Sequence, residues 1–226
     1  MTDASLGSRK RIAGARRAMR SPRAAAMAGI LFALMMSGAF VLIRLATADE
    51  TADSSWMMDG TKRAMVTLAV NLLPFAGIAF LWFIGVVRDR LGTGEDRLFA
   101  TVFLGSGLLF VAMLFASGAV AGGLLLSDTD PEVWSFGRRV TGNLLLIYSM
   151  RMAAVFALST TTLLMRLAIV PRWLSIWGYI TAVTLLLGAG RIDWVEIAFP
   201  LWVLVLSSHL LYVTYARTEL IGRTPA

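Results

Sequence analysis

Two arginines stand inside otherwise apolar stretches, Arg44 in the run Gly38-Ala-Phe-Val-Leu-Ile-Arg-Leu-Ala-Thr47 and Arg151 in Leu144-Leu-Leu-Ile-Tyr-Ser-Met-Arg-Met-Ala-Ala154. A guanidinium central in a membrane span costs ~2.5 to 3.5 kcal/mol on insertion scales, so it faces protein, water or a headgroup. Its planar fork of donors binds phosphate and carboxylate bidentately, which makes anion or lipid-headgroup binding the chemistry that such a pair could perform. No Asp or Glu lies deep in an apolar run, and the nearest carboxylates are Asp193 and Glu196. Two readings stand side by side. In one, Arg44, Tyr148, Arg151 and Glu196 make up an outward-facing anion or lipid site. In the other, Arg151 pairs with Glu196, while Arg44 snorkels past its helix end or bonds terminal carbonyls.

A second set of polar groups lies deeper. Tyr148, Arg151, Ser159 and Thr162 fall at spacings that share one helix face, interrupted by Val155, and that face is expected to point inward. With His209 it forms a candidate polar core, read either as a conduit or as ordinary interhelical hydrogen bonding worth about 0.6 kcal/mol per bond. His209 sits beside Ser207 and Ser208, and Ser106 lies between Gly105 and Gly107. An intramembrane Ser106–His209 hydrolase is therefore a third possibility, although Leu104 occupies the place where a G-x-S-x-G elbow carries glycine.

The chain has no cysteine and one histidine, which excludes thiolate chemistry and makes clustered zinc ligation improbable. No H-E-x-x-H, Walker A or Rossmann glycine pattern occurs, so no cofactor and no enzymatic activity is expected. The lack of a deep carboxylate argues against a proton pump that relies on one.

The elements that must position these groups are hydrophobic spans. Of 226 residues, 58% are hydrophobic and 15% charged, against about a quarter charged in ordinary soluble domains. The apolar material is divided into runs of about 24–47, 64–87, 98–126, 140–165, 174–190 and 195–215, each near the ~20 residues that cross ~30 Å of hydrocarbon. They lack the alternation of β spans, so helices are the way to satisfy the backbone in lipid. The expected fold is all-α: a polytopic six-helix bundle at 24–216, between a basic N-terminal segment at 1–23 and a short tail at 217–226. The fifth run is the shortest.

Orientation follows from the basic residues. With the N-terminus inside, 14 of the 21 Lys and Arg fall on the cytoplasmic side, five outside and two within spans, so both termini are expected in the cytoplasm of a cell-membrane protein. Asp49, Glu50, Asp53, Asp59, Asp128, Asp130 and Glu132 fall in the outer loops. Trp56, Trp134 and Trp194 fall near the outer boundary, while Trp82, Trp173, Trp177, Tyr212 and Tyr215 fall near the inner one. On this frame Arg44 starts ~6 Å below the outer boundary and Arg151 ~16 Å below it, leaning so that their heads converge in depth.

Ala46-Thr47-Ala48 offers a small-residue cleavage pattern, but the preceding run is about twice the usual 7 to 15 residues of a signal h-region, so the first helix is read as a retained anchor. The N-terminal basic residues set topology and provide a place for anionic lipid at ~1 kcal/mol each. Nucleic acid is not an expected partner, because the positive charge is distributed by topology; the formal net charge is +7. Gly118 and Gly122 form a G-x-x-x-G for close approach within the bundle, in a homo-oligomer or against another membrane protein. Asn71, Pro74 and Pro200 mark expected kinks. An inverted 3+3 repeat is not supported by the polar pattern.

The segment Asn71-Leu-Leu-Pro-Phe-Ala-Gly-Ile-Ala-Phe-Leu-Trp-Phe-Ile-Gly-Val-Val-Arg-Asp-Arg-Leu-Gly92, continuing through Glu95-Asp-Arg-Leu-Phe-Ala-Thr-Val-Phe-Leu-Gly-Ser-Gly107, with Pro171-Arg-Trp-Leu174 and Phe199-Pro-Leu-Trp-Val203, resembles an actinobacterial family of multi-pass membrane proteins. The resemblance covers most of the chain after about Ala24. It implies a membrane fold and brings no activity, cofactor or catalytic residue. The leading expectation is an integral membrane protein that binds or transports a small anion or lipid headgroup from the outer side; the alternative is a membrane scaffold or assembly subunit.

Overall fold

The computed structural model describes residues 22–47, 59–91, 97–126 and 130–222. The lipid-binding reading of the basic segment before Pro22, the cleavage reading after Ala48, and the acidic positions Asp49, Glu50, Asp53 and Asp128 lie outside the described residues. Among the described residues the regular structure is entirely helical: α1 (Pro22–Thr47), α2 (Gly60–Leu91), α3 (Arg97–Leu126), α4, α5 (Arg172–Gly188) and α6 (Ala198–Gly222). Helix α4 is one run of three parts, Pro131–Gly142, a π-helical stretch Asn143–Tyr148, and Ser149–Arg166. A 3-10 turn, Val195–Ile197, leads into α6.

Five of these helices are long and apolar enough to cross a membrane. Helix α5 has 17 residues, ~25 Å at 1.5 Å per residue, a little under ~30 Å of hydrocarbon. It stops at Gly188 because the chain then turns: Gly190 takes φ +76 and Trp194 φ 66, both left-handed. Other helices start earlier than their apolar runs. The Asp59 carboxylate accepts from the Thr61 N–H at 2.9 Å, which caps α2 ahead of Ala64. Pro131 opens α4 nine residues ahead of Val140, at a position where its missing N–H has no partner to lose.

Successive helices are antiparallel neighbours. Phe32 meets Phe80 while Gly29 lies by Phe83; Gly77 lies by Phe115 while Gly107 lies by Ile84. Ser117 bonds the Thr141 carbonyl while Phe103 stacks on Phe156. Thr161 lies by Gly178 and Ile147 by Gly190, and Gly178 in turn lies by Trp202. The ring closes between first and last helices, where Gly29 lies by Ser207 and Arg44 reaches Glu196. Hence α1 and α6 are also antiparallel, and the start of α1 and the end of α6 lie at the same end of the bundle.

The axis of the ring is filled. Phe32, Phe80, Phe110, Phe156 and Phe199, one from each of five helices, are each at most 1% exposed. Their ring centroids lie between 4.7 and 6.2 Å apart in mutually tilted or edge-on pairs. Helix α5 lacks a phenylalanine and packs by a different device: Ser175, Gly178, Thr181 and Ala182 face inward and let its backbone approach α4. The outward surface is apolar as well, with Leu34, Phe75, Trp82, Ile180 and Leu187 exposed, as expected where lipid replaces water.

Candidate functional site

Arg44 lies one turn from the C-terminus of α1, and Glu196 lies in the turn that starts α6; the antiparallel packing of these helices brings the two together. Arg44 Nε donates to Glu196 Oε1 at 2.7 Å, and Arg44 Nη1 donates to Asp193 Oδ1 at 2.8 Å. The Glu196 side chain is 2% exposed and that of Asp193 85%, so one carboxylate is buried and the other solvated. The left-handed Trp194 between them turns the chain so that both carboxylates face the same guanidinium, and its ring lies 6.0 Å from Arg44 Cζ.

This corrects the expectation that Glu196 pairs with Arg151 and that Arg44 snorkels free. The reason is which helix meets the turn: α1 packs on the Val195–Ile197 turn and Arg44 reaches it from one turn before the helix C-terminus, whereas Arg151 is on the exposed flank of α4. Arg44 is thereby taken as a structural cation, and the four-residue anion site is not assembled as a unit. Helix α1 packs on α2 and α6, while the Arg151 helix packs on α3 and α5.

Arg151 is exposed on the outward flank of α4 and forms no ion pair or hydrogen bond among the described residues. Tyr148, one turn ahead of it, is 55% exposed. The expectation that this face points inward is therefore corrected. The buried face consists of Met150, Ala153, Phe156, Ala157 and Thr160 instead, where small residues and one ring fit the crowded interior. Ser159 is buried on that side and returns its hydroxyl to the Val155 carbonyl at 2.8 Å. Thr162 bonds the Leu158 carbonyl at 2.8 Å and meets the Tyr179 hydroxyl at 3.1 Å, tying α4 to α5.

The surroundings of Arg151 follow from the short fifth helix. Gly190, in the α5–α6 turn, packs on Ile147, so a Cβ there would lie 2.8 Å from Ile147 Cγ1. Ile147 is 16 residues into α4, ~24 Å at 1.5 Å per residue, which places this turn far from the N-terminal end of α4. The result is a step at the end of the bundle where α4 begins. Arg151 lies one helical turn beneath it and leans toward it, since helical side chains tilt toward their own N-terminus. Arg191 is exposed on the same turn and donates to the Leu187 carbonyl at 3.1 Å.

Ser106 donates to its own helix, at 2.7 Å from the Val102 carbonyl and 3.2 Å from that of Phe103, and forms no hydrogen bond with half-buried His209. The structure does not assemble that dyad. Gly118 meets Leu73 at 3.8 Å from a built Cβ, within the bundle, while Gly122 has open space. Pro74 sits inside a continuous α2, and Pro200 falls in the first turn of α6, where no helical donor is lost.

No family model, curated protein or solved structure matches the chain. What the arrangement can do must be read from its own chemistry: a partly buried ion pair closing the ring of helices, and an exposed arginine beneath a step in the bundle. Sequence reasoning did not find the phenylalanine cluster that blocks the axis. Its signal was one phenylalanine at middle depth in each of several spans.

Proposed function

We propose that this chain is a cytoplasmic-membrane protein of six crossings, with both ends in the cytoplasm, that binds an anionic phosphate group on its outer flank through Arg151. The observation that carries the reading is that Arg151 is exposed on a span surface and has no carboxylate partner among the described residues. A guanidinium in that position lowers its cost by drawing in water or a phosphate. Tyr148 and Arg191, exposed on the same step, add a hydroxyl donor and a second positive charge.

The antiparallel α1 and α6 support an even number of crossings, which requires α5 to cross together with the five longer helices. The one-sided distribution of Lys and Arg supports the cytoplasmic placement of the ends. The phenylalanine-filled axis favours binding at the flank over passage of a solute through the middle. Ser106, which spends its proton on its own helix, favours a role without hydrolysis.

The test is retention of phosphatidylglycerol by the full chain in mild detergent, measured by native mass spectrometry, with inorganic phosphate as competitor. Arg151→Gln is expected to weaken retention about tenfold or more, the scale of one lost charge-assisted hydrogen bond. Displacement by millimolar phosphate would identify a free anion as the ligand; resistance would identify the lipid. Equal retention by Arg151→Gln and the natural chain would overturn the proposal.

A further inference from the structure

Helix α2 presents Ala64, Leu68, Asn71, Phe75, Ile78, Trp82 and Gly85 to the outside, all of them exposed. The intervals alternate four and three, the heptad spacing that keeps one seam facing a neighbouring helix crossing at about 20°. Apolar side chains alone do not call for a neighbour here, because lipid tails are as apolar as they are. Asn71 breaks that pattern.

The exposed hydroxyls of Thr67 and Ser208 satisfy themselves against their own helix: Thr67 donates to the Arg63 carbonyl and Ser208 to the Leu204 carbonyl, each at 2.8 Å. The Asn71 carboxamide has no hydrogen bond among the described residues, although it lies on an outward face seven residues, ~10 Å, inside the apolar run. Three residues on, Pro74 has no N–H to give the Val70 carbonyl, which removes that acceptor's usual intrahelical donor. Unpaired polar groups in hydrocarbon cost free energy until something covers them.

We infer that this face of α2 receives α2 of a second copy of the same chain, with the Asn71 carboxamides bonding to one another, or to the Val70 carbonyls, across a two-fold axis along the membrane normal. Such an axis holds both Asn71 residues at the same depth. A carboxamide is donor and acceptor at once and therefore complements itself, which a lipid tail cannot do. Gly85, with open space where a Cβ would be, lets the two backbones approach at the inner end of the seam.

The chain has no cysteine, so single substitutions report contacts cleanly. The experiment is oxidative cross-linking in membranes of Phe75→Cys, Ile78→Cys and Trp82→Cys, with Leu109→Cys on α3 and Ile180→Cys on α5 as outward controls. The expected result is dimer at the α2 positions and little at the controls. Adding Asn71→Leu to Ile78→Cys should reduce the dimer about threefold to tenfold, with Asn71→Gln retaining most of it. Equal cross-linking on every face, none on α2, or a dimer indifferent to Asn71→Leu would overturn the inference. None of these readouts depends on Arg151 or on phosphate.

Discussion

Arg44 reaches the turn between α5 and α6 directly, whereas Arg151 lies about one helical turn beneath that turn on an exposed flank, and this gives one a buried carboxylate and leaves the other without a carboxylate partner among the described residues. At Arg44 the energetics are asymmetric. Glu196 is 2% exposed, so removing its cation leaves a charge without a partner in a low dielectric. Arg44→Gln is expected to lower the stability of the detergent-solubilised protein by about 3 kcal/mol or more. Asp193→Asn, which removes an 85% exposed carboxylate, is expected to cost under about 1 kcal/mol. Thermal or denaturant unfolding of the two variants checks the difference; equal losses would mean that Glu196 is not the partner that matters. The sequence singled out Asp193 and Glu196 as the nearest carboxylates to the two arginines and assigned Glu196 to the wrong one. Both arginines are basic insertions in apolar runs; what distinguishes them is the depth at which the last helix begins, a tertiary property.

At the scale of elements, α5 carries the most instructive deviation. Its apolar run suggests a span to Gly190, yet the helix ends at Gly188, and the following left-handed turn produces both the step beneath which Arg151 lies and the carboxylate pair that holds Arg44. The helix is held by bare backbone: a Cβ on Gly178 would collide with the Thr161 hydroxyl and lie 2.9 Å from Trp202 Nε1. Gly178→Leu is therefore expected to push α5 off α4 and α6 and to destabilise the fold by about 1 to 3 kcal/mol, an overpacking cost. Outward-facing Ile180→Leu should be nearly neutral. Unfolding measurements on the pair would contradict this if the order were reversed. The existence of the long helices was legible from hydropathy, whereas the π-helical stretch Asn143–Tyr148 was not. Periodicity assumes 3.6 residues per turn, and a π turn just ahead of Arg151 changes which residues share a face.

Over the described residues the chain is a ring of six alternating helices around a phenylalanine plug. Hydropathy indicated the long helices of that architecture, but no sequence pattern indicated which rings meet at the centre. The proposed six crossings require the alternation to be complete: with α1 and α6 antiparallel, α5 carries the chain across in that reading, short as it is. Residues at its two ends decide the matter. Leu167, before α5, and Ile192, after it, are both exposed, and the chain has no natural cysteine. The most direct measurement is labelling of Leu167→Cys and Ile192→Cys by a membrane-impermeant maleimide in intact cells and in inverted vesicles. The account predicts that Ile192→Cys reacts in intact cells and Leu167→Cys only in inverted vesicles. Reaction of both from the same side would contradict it.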